Sequence, residues 1–533
     1  MSDAVTGGEL VVRSLAAHDV ELVFGIPGTH NLPLYAALER HGIRHVSPRH
    51  EQGAGYAADG YARACGRPGV VVTTAGPALL NVAAAAGQAQ SDSVPLLVIS
   101  PGMPHAHPVA STGYLHEMPS QQRAMSGVVE RSVRVMSHAE LGLELAGAFA
   151  AFRSQRPRAR YVEVPLDLLA EAAEADVPAA PETAPAAAAP GAIAAAAELL
   201  RAAERPGVIA GGGAAGAAPA LARLAERLRA PVVTTANGKG TLPERHPLAL
   251  GARLDLPAAR AWLEGCDVVL AVGTELAESD LWGPPLELSG KLVRVDIDPG
   301  QAHAGGAAAV ALVGDAGPAV EALVGALGPE PPGAVDGRAV RAAALRASLD
   351  AEHGARARPW LDWLDAIGGA LDDDAIVVGD SAMCCYYGAL GGLPVQRPRG
   401  YLHPTGFGTL GYAVPAATGA ALACPERRVV AICGDGGLMF TLPELAAAAA
   451  LGLALPVVVF VNEGYGEIRN EMLDAGFAPL GVDLPVPDLP AAARALGCAG
   501  AHAATPDALA AELGEAFARR VPTVIAVPEE RRR

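Results

Sequence analysis

The sequence predicts an α/β protein with three domains, each a doubly wound parallel sheet. Short apolar runs rich in valine and isoleucine alternate with alanine-rich helical stretches along the 533 residues. Such runs suit strands buried on both faces, and their alternation with helices is typical of parallel sheets. A domain usually holds roughly 100–200 residues, so the chain is long enough for several sheets, and its 51% hydrophobic residues can fill their cores.

Two stretches rich in alanine and proline divide the chain. They span residues 171–192 and 326–338 and contain few side chains that could build a core. This composition is typical of linkers between domains. The predicted domains are therefore residues 1–170, 193–325 and 346–533.

Each predicted domain has its own series of strands. The strands are 20–26, 69–74 and 95–100 in the first domain, 207–213, 231–235, 268–273 and 292–298 in the second, and 375–380, 429–437, 456–462 and 523–527 in the third. Ligands of doubly wound sheets bind at the carboxyl ends of the strands. Motifs that follow these strands are therefore the candidates for a functional site.

The composition indicates the cellular compartment and excludes some classes of binding partner. Lysine and arginine number 40 against 57 acids, for a net charge of -17, which disfavours nucleic acid and anionic membranes because both require a basic surface. Seven scattered cysteines without C-x-x-C fit neither a disulfide framework nor a zinc site. Neither a secretory signal nor an apolar run of the ~20 residues of a membrane helix is visible. We expect a cytoplasmic protein.

The strongest motif follows two neighbouring predicted strands in the third domain. The sequence GDGG occupies 434–437, and NEGYG occupies 462–466. Glycines let backbone N–H groups approach a phosphate closely. Asp435, Asn462 and the carbonyl of Gly464 would supply the hard oxygen ligands that Mg²⁺ prefers. The pattern favours a magnesium–diphosphate site over the alternative of two ordinary turns.

This pattern resembles the signature of thiamine-diphosphate-dependent enzymes, in the branch that contains acetohydroxyacid synthase and the 2-oxo acid decarboxylases. Three further stretches of the first domain match that family: FGIPGTHNLPLYAAL at 24–38, RHEQGAGYAADGYAR at 49–63 and TTAGPALLN at 73–81. The resemblance covers essentially the whole chain. It implies a pyrimidine-binding domain, a central domain and a diphosphate-binding domain, in that order.

The resemblance assigns roles to individual residues. It makes Glu51 the cofactor-activating glutamate, because a carboxyl group at the pyrimidine ring nitrogen favours the tautomer that takes the thiazolium proton. In isolation Glu51 would be interpreted as a solvated acid at a helix start. The Gly408 carbonyl would receive the pyrimidine amino group, and Leu410 would be either the wedge that bends the cofactor or a core leucine. The other implied cofactor contacts are Gly28, Ser381, Gly434, Gly436, Gly437, Leu438, Asn462 and Tyr465.

The central domain departs from that of acetohydroxyacid synthases, which binds FAD. Residues 207–217 read GVIAGGGAAGA, but the G-x-G-x-x-G spacing of a dinucleotide loop is missing. The sequence GTELAESDLW at 273–282 replaces that family's arginine-containing stretch. We therefore expect no functional FAD.

Other departures favour a decarboxylase. The family's Phe-Gln-Glu segment is replaced by YLHE at 114–117, its downstream lysine is absent from 130–135, and its tryptophan-containing stretch reads GYGEIRNEML at 464–473. In decarboxylases of this family an active-site imidazole handles protons. His116 and His30 are therefore the catalytic candidates, with surface histidines as the alternative.

Five segments together resemble 5-guanidino-2-oxopentanoate decarboxylases most: RHEQGAGYAADGYAR at 49–63, LHEMPSQ at 115–121, NGKGTLPERHPLALG at 237–251, GTELAESD at 273–280 and NEGYGEIRN at 462–470. This resemblance implies non-oxidative decarboxylation of a 2-oxo acid to an aldehyde and carbon dioxide, with acetolactate-synthase-like carboligation as the alternative. A guanidinium tail requires acidic partners, for which Glu117 and Glu467 are candidates beside a third substrate-side residue, Thr29. Ion pairs on a solvated face are the alternative for both acids. The resemblance also implies a homodimer or homotetramer with active sites between subunits.

Overall fold

The computed structural model of the chain describes residues 5–108, 111–173, 177–178, 185–303, 306–328 and 337–530. It contains three six-stranded sheets whose described strand pairs are all parallel. The predicted fold class is therefore confirmed. The two predicted linkers lie partly outside the described residues, and the predicted domain boundaries stay a prediction.

The first sheet has the strand order β2-β1-β3-β4-β6-β5. Its strands are β1 Leu22–Gly25, β2 Arg44–Val46, β3 Gly69–Val72, β4 Leu96–Gly102, β5 Arg131–Arg134 and β6 Ala159–Pro165. The helices around it are α1 Gly7–Ala17, α2 Leu32–Leu38, α3 Glu51–Cys65, α4 Pro77–Ser91, α5 Gln121–Ser126, α6 His138–Ser154 and α7 Leu166–Ala170, with a 3-10 turn at Glu39–His41.

The second sheet has the order β12-β11-β10-β7-β8-β9. Its strands are β7 Pro206–Ala210, β8 Val232–Thr234, β9 Ala249–Gly251, β10 Val268–Val272, β11 Lys291–Asp296 and β12 Val310–Val313. Its helices are α8 Pro190–Ala202, α9 Ala218–Leu228, α10 Pro257–Glu264, α11 Glu278–Leu281 and α12 Ala316–Leu327, with 3-10 turns at Gly212–Ala217 and Pro299–His303.

The third sheet has the order β14-β13-β15-β16-β18-β17. Its strands are β13 Ile376–Gly379, β14 Tyr401–Leu402, β15 Val429–Gly434, β16 Pro456–Val461, β17 Ala499–His502 and β18 Thr523–Pro528. Its helices are α13 Gly337–Ala357, α14 Leu361–Gly369, α15 Leu390–Gly392, α16 Ala413–Ala423, α17 Asp435–Thr441, α18 Glu444–Ala450, α19 Gly466–Asp474, α20 Leu489–Ala495 and α21 Pro506–Ala518, with a π-helical turn at Cys384–Ala389.

One predicted strand is too long. The sequence predicts a strand over 429–437, whereas β15 ends at Gly434 and Asp435 begins helix α17. Continuous apolar character stops at Cys433, and the glycines that follow permit the chain to turn directly into the helix. The aspartate of the GDGG motif is therefore the first residue of a helix and does not belong to the strand.

Helices α3 and α16 hold the first and third domains together. A Cβ at Gly60 would lie 2.1 Å from the carbonyl oxygen of Ala416, and a Cβ at Gly419 would lie 1.8 Å from that of Ala57. Only glycine permits backbones to approach this closely. The contact places the N-terminus of α3, where Glu51 lies, against the third domain.

No helix in the described residues is long and apolar enough to cross a membrane.

Candidate active site

The two motif loops of the third domain meet at one edge of its sheet. Strands β15 and β16 are neighbours with Gly434 opposite Phe460, so Asp435 and Asn462 follow adjacent strand ends. The Asp435 carboxylate is buried. It accepts a hydrogen bond from the Gly436 N–H at 2.8 Å and one from the Glu463 N–H at 2.6 Å. Asp435 therefore joins the two loops as well as presenting a carboxylate there.

A glutamate that no motif indicated orients Asn462. The Asn462 amide nitrogen donates to Glu529 Oε2 at 2.9 Å, and the Trp360 indole N–H donates to Glu529 Oε1 at 2.7 Å. Burial raises the pKa of Glu529 to about 7. Because Glu529 accepts from the amide nitrogen, the Asn462 amide has a defined orientation in which its oxygen is the atom that can coordinate a cation.

The donor set suits a cation that is shared with a phosphate. Among the described residues, no group of three or more His, Cys, Asp or Glu could hold a metal ion. One carboxylate, one amide oxygen and the Gly464 carbonyl would fill about half of an octahedron, which is how Mg²⁺ is commonly held together with substrate phosphates. A Cβ at Gly436 would lie 3.0 Å from the Gly464 carbonyl oxygen and 3.0 Å from the Tyr465 ring. The residues present therefore fit a magnesium–diphosphate pair.

Asp380 supports the neighbouring turn. Its buried carboxylate accepts hydrogen bonds from the backbone N–H groups of Ser381 at 2.9 Å, Gly411 at 3.0 Å and Ala413 at 3.0 Å. Burial raises the pKa of Asp380 to about 6, although these hydrogen bonds oppose the shift. A carboxylate next to a phosphate would be repelled by its negative charge. The hydrogen bonds of Asp380 show instead that it holds the backbone of this turn. The role of Ser381 as a diphosphate contact stays a prediction.

The turn that Asp380 supports contains Gly408 and Leu410. Gly408 has φ +65° and Gly411 has φ +82°, left-handed conformations that favour glycine. Leu410 is half-buried and Gly408 is exposed. Leu410 is thus not enclosed in a core, and the geometry leaves it available as the predicted wedge.

Glu51 is the first residue of helix α3, which His50 caps through a hydrogen bond from the Gln52 N–H. The Asn81 side-chain nitrogen donates to Glu51 Oε2 at 2.9 Å. Glu444, from the third domain, accepts from the backbone N–H groups of His50 at 2.8 Å and Arg49 at 3.0 Å.

Burial raises the pKa of Glu444 to about 7, while these two backbone hydrogen bonds oppose the shift. A Cβ at Gly53 would lie 2.4 Å from the Glu444 carboxyl carbon, so glycine leaves room for this carboxyl group. The buried Glu444 therefore holds the chain on the N-terminal side of Glu51. Sequence reasoning missed both Asn81 and Glu444.

The two candidate histidines lie side by side. The ring centroids of His30 and His116 are 5.0 Å apart, and within the described part of the chain neither Nδ1 atom has a hydrogen-bond partner. Burial, with the nearby His116, lowers the pKa of His30. His116 has φ +63°, a strained conformation for a residue with a Cβ. Gly76 permits it, because a Cβ there would lie 2.5 Å from the His116 carbonyl oxygen.

The candidate substrate residues differ in what they already bind. Glu117 accepts from the N–H groups of Thr112, Gly113 and Tyr114 at 2.9, 2.8 and 3.1 Å and lies 2.7 Å from His107. The hydrogen bond with His107, together with those from the backbone N–H groups, lowers the pKa of Glu117 to about 2. The Glu117 carboxylate thus holds its own loop together.

Glu467, on helix α19, is in a different environment. The Tyr387 hydroxyl donates to its Oε1 at 2.5 Å, and burial raises its pKa. One residue earlier, a Cβ at Gly466 would lie 2.6 Å from the Asn462 amide nitrogen, so Glu467 follows directly on the metal loop. Thr29 is exposed between Gly28 and His30.

Family models match three parts of the chain. The N-terminal TPP binding domain of thiamine pyrophosphate enzymes matches residues 5–125, the central domain of these enzymes matches 193–323, and their C-terminal TPP binding domain matches 379–527. The region of the central domain contains the whole second sheet, whereas strands β5 and β6 of the first sheet follow the N-terminal region and strand β13 of the third sheet lies almost entirely before the C-terminal region.

Individual relatives extend over almost the whole chain. The chain is 44% identical to the "Probable 2-ketoarginine decarboxylase AruI" of Pseudomonas aeruginosa, over 98% of this chain and 93% of that protein. It is 32% identical to the acetolactate synthase large subunit of Parasynechococcus marenigrum, over 98% of this chain and 87% of that protein. It is 30% identical to the acetolactate synthase isozyme 1 large subunit of Escherichia coli, over 87% of this chain and 83% of that protein.

Proposed function

The chain belongs to the thiamine pyrophosphate enzymes, and we propose that it decarboxylates a 2-oxo acid with a guanidino group, releasing carbon dioxide and an aldehyde. The observation that carries this proposal is the 44% identity to the "Probable 2-ketoarginine decarboxylase AruI" over nearly the full length of both chains. The acetolactate synthases are 30–32% identical. The retained Glu51, Asp435 and Asn462 support an active enzyme rather than an inactive relative.

The cofactor would be held at both of its ends. Asp435, Asn462 and the Gly464 carbonyl would bind Mg²⁺, and the loops that carry them would bind the diphosphate. When bound, thiamine diphosphate would supply the nucleophilic carbon and the electron sink that decarboxylation of a 2-oxo acid requires. Residues proposed to contact the rest of the cofactor or its diphosphate are Gly28, Ser381, Gly408, Leu410, Gly434, Gly436, Gly437, Leu438 and Tyr465.

Glu51 would act on the pyrimidine ring. Its carboxyl group would exchange a proton with the ring nitrogen, a transfer that requires a fixed carboxyl position. Asn81 and Glu444 supply that position through the side-chain and backbone hydrogen bonds described above.

The histidine pair would handle protons on the substrate side. Burial keeps His30 largely neutral near pH 7, since its pKa is lowered, so it can accept a proton. The ring of His116 lies next to that of His30, with 5.0 Å between the ring centroids. We propose that one of the two donates the proton that replaces the lost carboxyl group.

Glu467 is the better of the two acids for the guanidinium tail. Tyr387 binds one of its oxygens, whereas the Glu117 carboxylate is committed to three backbone N–H groups and His107. A carboxylate and a guanidinium form short, paired hydrogen bonds. We therefore propose Glu467 as the specificity residue, with Thr29 near the reacting end of the substrate.

We also propose a homodimer or homotetramer whose active sites combine Glu51 of one subunit with Asp435 of another. Apolar side chains are exposed around the candidate site, including Phe407 at 57%, Phe477 at 66% and Leu480 at 82%. Exposed apolar surface of this kind is typical of a protein interface. The seven cysteines are free thiols, which supports a reducing, cytoplasmic location.

The test is to incubate the protein, Mg²⁺ and thiamine diphosphate with a panel of 2-oxo acids, measuring carbon dioxide, aldehyde and acetolactate. We expect carbon dioxide and aldehyde, with kcat/KM highest for the guanidino acid. Acetolactate from pyruvate as the main product would favour the carboligase. Equal rates with pyruvate, branched-chain and guanidino acids would contradict the proposed substrate.

A further inference from the structure

A buried arginine joins all three domains behind the turn that carries Gly408. Arg63, in helix α3, donates to Asp59 at 2.6 Å and to Asp92 at 2.7 Å, both in the first domain. It also donates to the Asn237 side chain of the second domain at 2.8 Å and to the His403 carbonyl of the third at 3.2 Å. Its side chain is 9% exposed.

Asp92, which binds Arg63, also accepts hydrogen bonds from the backbone of the turn that carries Gly408. Its Oδ2 accepts from the Thr405 N–H at 3.0 Å, and its Oδ1 accepts from the Gly406 N–H at 2.7 Å. The Gln88 amide donates to Asp92 at 2.6 Å, while the Thr409 hydroxyl donates to Gln88 at 3.3 Å. The first domain thus binds the turn at its start and at Thr409, on either side of Gly408.

The turn that carries Gly408 depends on contacts with the rest of the protein, because it is exposed and rich in glycine. Residues 406–408 are exposed, and two of its glycines, Gly408 and Gly411, are in left-handed conformations. Asp380 holds only the far end, through Gly411 and Ala413. A Cβ at Gly406 would lie 2.4 Å from the Ser91 hydroxyl and 2.8 Å from Asp92 Oδ1. Glycine at this position thus lets the turn lie directly against the side chains of Ser91 and Asp92.

The charges in this cluster are strongly coupled. The Asp92 side chain is 3% exposed, and Asp59 is fully buried. The two carboxylates raise the pKa of Arg63, which therefore stays charged. Removing Asp92 would leave Arg63 paired with Asp59, but it would take away the acceptor of the Thr405 and Gly406 N–H groups, and a donor left without its partner is costly. Asp92 is therefore sensitive to substitution although it lies outside every motif that points to the cofactor.

We propose that Arg63 and Asp92 form a clamp that positions residues 405–410 for the pyrimidine end of the cofactor. The proposal rests on the proposed function, because the Gly408 carbonyl and Leu410 are its pyrimidine contacts. Both clamp members are positioning residues. The clamp acts on one end of the cofactor only, because the diphosphate end is organised separately by Asp435, Asn462 and Glu529.

The test separates the two ends of the cofactor by calorimetry with Mg²⁺. Thiamine diphosphate and inorganic diphosphate are titrated into the protein, Asp92→Ala and the milder Thr409→Val. Loss of hydrogen bonds to a buried carboxylate predicts a Kd for thiamine diphosphate at least ~10-fold higher in Asp92→Ala. The Kd for inorganic diphosphate should stay within about twofold, since a clamp at the turn leaves that end intact. Thr409→Val should show a smaller shift of the same kind.

Hydrogen exchange of the cofactor-free protein provides a second readout. The backbone amides of Thr405 and Gly406 should exchange faster in Asp92→Ala, while those of strand β15 should not change. The matched control is Asp296→Asn, which removes another buried carboxylate between domains, the partner of Arg156 at 3.1 Å. It should alter neither the turn amides nor either affinity.

The outcomes separate the clamp from the function. If the unsubstituted protein binds inorganic diphosphate but not thiamine diphosphate, the proposed function fails. If it binds both, and Asp92→Ala either weakens both equally or leaves both unchanged, only the clamp is refuted. Equal effects of Asp296→Asn and Asp92→Ala on the affinity for thiamine diphosphate would refute it as well.

Discussion

Replacing Glu467 with glutamine tests the substrate side of the mechanism most directly. Glutamine retains the volume of the side chain and an oxygen that can accept from Tyr387, whose hydroxyl lies 2.5 Å from Oε1. It removes the negative charge. A hydrogen bond to a charged group contributes roughly 1.5–3 kcal/mol, which corresponds to about 10–150-fold in kcat/KM. A Coulomb attraction of about 4 kcal/mol at 4 Å near a protein surface is the upper bound.

The assay compares two substrates in the same variant. We expect kcat/KM of Glu467→Gln to fall by this factor for the guanidino 2-oxo acid and to change little for a 2-oxo acid of similar length with an uncharged tail. Tyr387→Phe, which removes only a neutral hydroxyl, should cost about 1 kcal/mol with the guanidino acid.

Two matched controls identify the acid that acts. Glu471→Gln removes a charge one helical turn further along α19, where the side chain is exposed, and should have little effect. Glu117→Gln tests the rejected candidate and should not discriminate between the substrates. An equal loss with both substrates in Glu467→Gln, or no loss, would refute Glu467 as the guanidinium partner.

Three further predictions follow from the cofactor side of the site. Glu51→Gln should bind thiamine diphosphate normally in calorimetry yet lose roughly 10²–10⁴-fold in carbon dioxide release, because only proton exchange is removed; full activity would exclude Glu51. Asp435→Ala should lose Mg²⁺-dependent cofactor binding, and mixed oligomers of the two variants should recover part of the activity if sites lie between subunits. Burial raises the pKa of Glu444 from 4.5 to about 7, so the folded state keeps a proton that the unfolded state has lost. The unfolding free energy of the protein relative to Glu444→Gln should therefore fall as pH rises from about 4.5 to about 7; a constant difference would contradict the raised pKa.

The sequence predicted most of the interior strands and pointed to the motif loops because both have local signals. The exception is the buried interior strand β6, Ala159–Pro165, which was missed because charged residues interrupt its apolar run. The neighbours β15 and β16 are continuous apolar runs, and glycines with a single polar ligand follow each of them. Edge strands carry no such signal. Strand β5, at Arg131–Arg134, is partly exposed and polar, so its sequence resembles a loop, and the same holds for β17 at Ala499–His502. Pairing with a neighbour, rather than burial, makes these segments strands.

The supporting residues of the site could not be predicted, since each acts across a large sequence distance. Glu444 holds the backbone at His50, and Asp92 holds the turn at Thr405; each pair is separated by hundreds of residues. The choice between Glu117 and Glu467 likewise depends on which hydrogen bonds each carboxylate already makes. No local spacing carries that information.

Buried carboxylates share one task in this protein. Glu444, Asp92 and Asp380 each accept hydrogen bonds from backbone N–H groups next to a candidate cofactor residue, namely Glu51 for the first and the Gly408–Leu410 turn for the other two. Burying an ionisable group is costly, and burial raises the pKa of Glu444 and of Asp380. Apolar side chains could fill the same space without that cost. What an apolar residue cannot do is bind two or three N–H groups at defined points, and general acid–base chemistry requires such fixed positions. The placement of these three acids therefore indicates that this part of the fold is organised around the cofactor site.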